Sequence, residues 1–346
     1  MKCCVNCFND MQISSMISSR NEIGNCDYCG QKNVLVCSLD RPSDISDLIS
    51  EVVSVYEESE NGETLSQILL NDWNIFDRSN RDVCDLIETF LRISFEEDKS
   101  CNTIVCIPKP IEEKYGIFSG HSWDEFSTII KTENRFYNGL FRAELFSSFL
   151  TYSISRYHKG QIFYRARICE NEIGYGIDQM GAPPQGKRKA GRVNPDGICV
   201  LYLTSDEETA LSEVRASAFD FVSIGIFRLK KDISVVNIAS LNNNSPVLYS
   251  SGLESLAANN KIFSSIAKEI SKPLRRNDSP LEYLPTQYIT EFIKSNGYAG
   301  VEYASTMKTG GSNIAVFDEN LLECISVKNV EIEKIKYDYS PILDKR

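Results

Sequence analysis

Between residues 39 and 158, apolar positions return every three or four residues. Behind Ser43, a residue type that caps helix starts, Ile45, Leu48, Ile49, Val52, Val53 and Tyr56 form one helical stripe. The run ESENGE at 58–63 interrupts this pattern and reads as a turn. Leu65 to Phe76 and Val83 to Phe95 resume it, with Leu86, Phe90 and Ile93 among the apolar positions. After a loop containing Pro108 and Pro110, the segments Trp123–Ile130 and Leu140–Tyr157 read as two more helices. A bundle-like helical module is predicted.

From Gln161 the period shortens to two. Ile162–Arg167, Ile198–Thr204 and Val222–Arg228 read as strands, the last alternating through Val222, Ile224 and Ile226. Ser205 with Glu208 matches a capping box for a helix running to about Ser217. Pro285 suits the first turn of a helix over 284–296, which Gly297 ends. Gly300–Tyr303 and Ile314–Phe317 are short strands. Strands with few, widely spaced helices predict an α+β fold rather than a doubly wound sheet. No Gly-rich phosphate loop stands in a strand–turn–helix setting, so neither a Rossmann nor a P-loop site is expected.

The 346 residues allow two or three modules. The pattern divides them at 1–38, 39–158 and 159–346. At 42% hydrophobic and 25% charged, the composition is that of a globular protein. No run of 18 apolar residues is present, so no membrane-spanning helix is expected. The opening MKCCVNCFND lacks an apolar core before a cleavage site, and a cytoplasmic protein is expected. The net charge of −11 argues against nucleic-acid coating. Residues 44–63 and 96–98 are acid-rich, whereas Lys187, Arg188, Lys189 and Arg192 form a basic cluster. Such a cluster is either a solvated loop or a local anion site.

Five of the twelve cysteines fall in the first 29 residues. Cys4-x2-Cys7 and Cys26-x2-Cys29, 18 residues apart, match the spacing of a four-cysteine structural zinc site. A redox CxxC is the rival reading, but no βαβ pattern surrounds either pair. Cys3 and Cys37 are alternative ligands. Residues 1–38 balance Lys2, Arg20 and Lys32 against Asp10, Glu22 and Asp27, which gives little support to a nucleic-acid-binding knuckle. The only histidines are His121 and His158. Arg156, two residues before His158, would lie on another helix face, so no Arg–His nuclease pair is expected.

Candidate chemistry concentrates in GRVNPDGICVLYLTSDEETALSEVR, residues 191–215. It sets Arg192, Tyr202 and Glu213 at intervals of ten and eleven residues, in loop, strand and helix. Arginine binds phosphate oxygens bidentately, so Arg192 suits a pyrophosphate, with Arg165 of FYRAR (163–167) as a second phosphate or structural arginine. Tyr202 can stack on a nicotinamide ring. Glu213 can stabilise the positive charge that builds on ribose as its glycosidic bond breaks, or orient the nucleophile. Nicotinamide leaves as a neutral base, so no strong general acid is needed.

These segments, with YLPTQYITEFIKSNGYAGVEYAS (283–305) and SNIAVF (312–317), occur in the order of the RES domain, named for its Arg, Glu and Ser, and the chain resembles that family from Gln161 to Phe317. The resemblance implies an ADP-ribosyltransferase-like mixed β core. It implies NAD+ as substrate, cleaved by hydrolysis or phosphorolysis, and a toxin paired with an antitoxin. It also assigns catalytic roles to Arg192, Tyr202, Glu213 and Ser305, and places Arg165, Gln287 and Asn313 at the substrate. The cysteine-rich start and helical middle resemble the HEPN-like region attached to some RES domains. Two features depart from the compact pattern: the residues ahead of the RES-like part, and an insertion-like stretch at 240–280. They leave open a protein ADP-ribosyltransferase, or a partner-binding sensor with a non-catalytic nucleotide pocket. Restraint of the activity would fall to an antitoxin, to homo-oligomerisation or to the N-terminal region in cis.

Overall fold

The computed structural model describes residues 1–95, 99–184, 186, 189–242, 245–249, 252–273 and 279–336. The acidic run 96–98 and the cations Lys187 and Arg188 lie outside these residues. The chain divides into two compact units, Met1–Ser153 with Ile238–Lys268, and Ile154–Asn237 with Glu269–Arg346.

In the first unit, strands Lys2–Cys4, Val34–Ser38 and Ile23–Gly24 form a small antiparallel sheet. Ser43 caps the helix Asp44–Ser54 in a reciprocal capping box with Ser46. The predicted helix Val83–Phe95 forms with those bounds. Phe90 and Phe76 pack with Phe8, their ring centroids 6.1 and 5.3 Å from it. Three expectations change. ESENGE lies within a strand, Glu57–Thr64, paired with Ile104–Cys106 through a register shift between Glu58 and Glu63. The helix expected over 65–76 is a short turn followed by a π-helix, Ile68–Asp72. The segment 140–157 is a helix, Ala143–Leu150, and then a strand, Ile154–Tyr157, because the alternating Ile-Ser-Arg-Tyr run finds a strand partner. The stretch 240–280 includes a long helix, Leu253–Ser271, whose Phe263 packs on Phe146 and Phe149 within this unit.

Among the described residues, the second unit is built on one mixed sheet of eight strands: β1 (Ile154–Tyr157), β2 (Ile162–Cys169), β3 (Leu201–Thr204), β4 (Phe221–Leu229), β5 (Ile233–Asn237), β6 (Gly300–Ala304), β7 (Ser312–Val316) and β8 (Leu322–Glu331). Their order is β8-β4-β2-β3-β7-β6-β5-β1. Only the β5–β6 contact is parallel; the other neighbours run antiparallel. This is the expected α+β class. Two helices matter for the site: α1 (Glu207–Val214) and α2 (Leu284–Ser295). Asp206, not Ser205, caps α1, accepting from the Thr209 amide at 2.9 Å.

Strand alternation sorts the side chains onto two faces. On one, Phe163, Leu201, Leu203, Phe227, Ile314 and Val316 pack with Met180. On the other, Ala166, Val222 and Ile224 pack against Ala210 of α1, with Tyr164 and Val214 alongside. The sheet therefore buries an apolar layer on both sides, and on the α1 face that layer gives way to a polar opening.

Candidate active site

The polar opening on the α1 face follows from strand register. Tyr303 lies opposite Asn313, Asn313 opposite Thr204, and Thr204 opposite Tyr164. Directly paired residues share a face, so these four make one row across β6, β7, β3 and β2. Tyr202, two residues before Thr204 on β3, shares that face and is opposite the small Ala315.

Glu213 reaches this row from the last turn of α1, which ends at Arg215 in a left-handed conformation (φ 53°). Its Oε1 accepts two hydrogen bonds, from Ser305 Oγ at 2.6 Å and Asn313 Nδ2 at 2.7 Å. The Ser305 oxygen itself accepts the backbone N–H groups of Met307 (3.1 Å) and Lys308 (3.3 Å), which commits its own proton to the carboxylate. Ser305 and Asn313 are buried. Glu213 is thus gripped through one oxygen, and among the described residues no hydrogen bond is assigned to Oε2. Tyr202 and Tyr303 flank it. Burial pushes both phenols up, and the Glu213 charge adds to the effect at Tyr303.

Arg192 occupies a loop that helix α2 holds by its backbone. Gln287 Nε2 donates to the carbonyls of Gly191 (2.8 Å) and Asn194 (3.0 Å), Thr286 Oγ1 to that of Arg192 (2.8 Å), and Thr290 Oγ1 to that of Val193 (3.0 Å). Every carbonyl from 191 to 194 therefore has a partner on one helix face. Asn194 completes the loop: it accepts from Tyr202 Oη at 2.7 Å and donates to the carbonyls of Lys189, Pro195 and Ile198. A Cβ at Gly191 would stand 2.9 Å from both Asn194 Oδ1 and Tyr202 Oη, so glycine is required there by space. The Arg192 guanidinium is buried. Its Nε donates to the Lys272 carbonyl at 2.9 Å, its Nη1 lies 3.5 Å from Glu269 Oε2, and its Cζ sits 5.2 Å from the Tyr283 ring centre.

Two cavities meet at this cluster and share Tyr202, Glu213, Tyr303 and Asn313. The smaller, about 220 Å³, is bounded further by Tyr164 and Thr204. The larger, about 480 Å³, is bounded by Lys189, Arg192 and the segment 270–273. A volume of several hundred cubic ångströms suits a small organic ligand.

The expected residues thus fall into three groups. Glu213, Tyr202, Ser305 and Asn313 come together, with Arg192 on the wall of the larger cavity. Gln287 is behind the Arg192 loop rather than in either cavity wall, and acts on the backbone. Arg165 borders the smaller cavity along β2, but it pairs with Gly225, whose face is the Met180 side, so its side chain leaves the Glu213 face. Burial and then Arg167 pull its pKa down to about 10, and its Nη1 makes no hydrogen bond among the described residues. The sequence reading missed Asn194, Tyr303, Thr286 and Thr290. The Asn-Pro turn signal pointed at Asn194; for Tyr303 the signal lay in strand register, and for Thr286 and Thr290 in their helical spacing with Gln287.

In the first unit, the Sγ atoms of Cys4, Cys7, Cys26 and Cys29 all lie within 4.8 Å of one another. Gly30 follows in a left-handed turn (φ 72°), and the Cys29 amide lies 3.5 Å from Cys26 Sγ. Cys3 and Cys37, the alternative ligands, point instead to the other side of their strands and face each other at 3.3 Å.

A large mixed sheet with a cleft built around a clamped carboxylate defines an α+β protein with a cavity of small-molecule size. The chain belongs to the RES domain family, whose model matches residues 162–340. A similar solved structure is the MbcT-MbcA toxin-antitoxin complex of M. tuberculosis, at 11% identity and TM-score 0.30, covering 53% of this chain and 91% of that one. No curated protein matches this chain.

Proposed function

We propose that this chain is an NAD+-consuming enzyme that cleaves the nicotinamide–ribose bond, as a glycohydrolase or phosphorylase of the RES toxin type. The observation that carries the reading is the clamp on Glu213. Two donors fix Oε1 at the junction of two cavities, which leaves Oε2 for a developing positive charge. A preorganised carboxylate costs no reorganisation as charge develops. In this reading the larger cavity takes the dinucleotide, with its diphosphate toward Arg192. Tyr202 and Tyr303 supply flat partners for the nicotinamide. The C1′–N bond breaks with its electron pair leaving on neutral nicotinamide, Glu213 stabilises the ribosyl cation, and water or phosphate forms the new C1′–O bond. Water then gives up one proton to solvent. Ser305, expected on the substrate itself, acts through Glu213. The ADP-ribosyltransferase-like ancestry of the sheet and the HEPN-like character of the helices belong to the same proposal.

Incubating the purified protein with NAD+ and following nicotinamide tests this reading. Release by the native chain and a loss of about 10²- to 10³-fold in Glu213→Gln are expected. No release, with water, phosphate or protein acceptors present, would sink it. Product analysis separates ADP-ribose, its phosphate and labelled protein. In cells, expression is expected to lower NAD+ and arrest growth, relieved by Glu213→Gln or by an antitoxin partner. Such an enzyme would work in the cytoplasm, where its substrate is. Among the described residues no helix is long and apolar enough to cross a membrane.

We also propose that Cys4, Cys7, Cys26 and Cys29 hold one structural Zn2+. Neighbouring sulfurs at 3.4 to 3.8 Å fit the edges of a tetrahedron of thiolates about one ion. Zinc there would staple the two CxxC turns and take no part in the reaction.

A further inference from the structure

The buried cation at the wall of the larger cavity already has an anion. Glu269, at the end of the long helix, places Oε2 3.5 Å from Arg192 Nη1, and the next residues, Ile270 to Pro273, bound that same cavity. The segment is anchored twice more: the Lys272 carbonyl accepts from Arg192 Nε at 2.9 Å, and the Ser271 carbonyl accepts from Thr306 Oγ1 at 3.0 Å. Lys272 Nζ pairs with the other oxygen of Glu269. Glu269 is about a quarter exposed (27%), whereas the Arg192 side chain is nearly enclosed (9%).

A buried guanidinium costs less with a carboxylate beside it, so Glu269 helps hold Arg192 at the cavity wall. The geometry of the pair is nonetheless poor. It is one oxygen against one nitrogen at 3.5 Å, longer than a good charged hydrogen bond and without the parallel fork that arginine makes with an oxyanion. A phosphate presenting two oxygens would bind that fork better. Lys272 would keep Glu269 charge-paired once it is displaced, so the exchange leaves no orphan carboxylate.

We propose that Glu269 sets the substrate affinity of this cleft: it is an internal carboxylate ligand of Arg192 that an incoming diphosphate must displace. The inference rests on reading the cleft as the dinucleotide site. It gives the 240–280 stretch a role, since the end of that stretch supplies the competing anion. Glu269 touches no reacting atom, so its effect belongs in binding and not in bond cleavage.

The test compares the native chain with Glu269→Gln, which keeps the shape and removes the charge. Inorganic pyrophosphate, titrated by calorimetry, is the probe that needs no turnover. Binding about tenfold tighter in Glu269→Gln is expected, with native affinity retained in Glu269→Asp, and the gain abolished when Arg192→Ala is added. For NAD+, KM is expected to fall by a similar factor while kcat changes much less. Equal pyrophosphate affinity in native and Glu269→Gln proteins, or no binding by either, overturns the proposal. So does a gain that survives Arg192→Ala. A merely structural Glu269 would instead raise KM and lower the unfolding midpoint together. Tighter pyrophosphate binding without nicotinamide release would refute the NAD+ reading and leave this one standing. Turnover with unchanged KM and unchanged pyrophosphate affinity would do the reverse.

Discussion

Tyr202 shows how one side chain both lines a cleft and holds a loop in place. Its ring faces the Glu213 cleft, while its hydroxyl donates to Asn194 and so closes the loop that carries Arg192. Tyr202→Phe keeps the ring and strips the buried Asn194 oxygen of a donor. A loss of roughly 1–2 kcal/mol in urea unfolding is expected, with a raised KM and a smaller change in kcat. A second residue-scale prediction concerns Asp72, near Glu63 and Lys261. Burial, opposed by Lys261 and assisted by Glu63, raises its pKa from 3.8 to about 6. The folded chain therefore holds this proton more tightly than the unfolded one, and stability falls as pH rises across that window. Asp72→Asn removes the cost. It should be the more stable protein by roughly 1–3 kcal/mol at pH 7 to 8, with the difference gone below about pH 4. Chemical denaturation at both pH values would expose an opposite sign.

At the scale of elements, helix α2 is a brace for a loop. Thr286, Gln287 and Thr290 recur at helical spacing and meet successive carbonyls, so one helix face dictates the path of residues 191–194. Gln287→Ala would strand the Gly191 carbonyl and leave that of Asn194 to the Gly191 amide alone. The expected cost is about 1–3 kcal/mol, with KM for NAD+ raised well beyond any change in kcat. Unchanged KM would remove α2 from the account of the site. The elements also show where pattern reading stops. Val83–Phe95 and β4 carry clean periods and form as expected. The strand Glu57–Thr64 carries almost no apolar signal, and it forms because Ile104–Cys106 offers a ladder. The cap of α1 moved from Ser205 to Asp206 because the carboxylate both accepts the Thr209 amide and pairs with Lys308 from a distant segment.

For the whole molecule, the division into two compact units crosses the chain order, since 238–268 returns to the N-terminal unit before Glu269 re-enters the sheet unit. The four-cysteine cluster belongs to the first unit alone. Elemental analysis of reduced protein is expected to find one zinc per chain, and Cys26→Ser none. Chelation should lower the thermal midpoint markedly, because binding energy of a structural zinc is folding energy. A metal-free native preparation with an unchanged midpoint would refute the site.

The sequence by itself determined the parts that depend on neighbours in the chain. The CxxC pairs were legible because each turn delivers two thiolates locally. The loop–strand–helix run from Arg192 to Glu213 was legible because its periods and turn signals are local too. Tertiary structure alone decided which of these side chains meet. Strand register set Tyr303 beside Asn313 and sent Arg165, which reads in sequence as a second phosphate or structural arginine, to the opposite face. The Ser305 and Asn313 donors lie 92 and 100 residues from Glu213, and the Glu269 carboxylate lies 77 residues past Arg192 (269 − 192 = 77). Hydrogen bonds and ion pairs act over about 3 to 4 Å of space whatever the separation along the chain, so no local pattern encodes them.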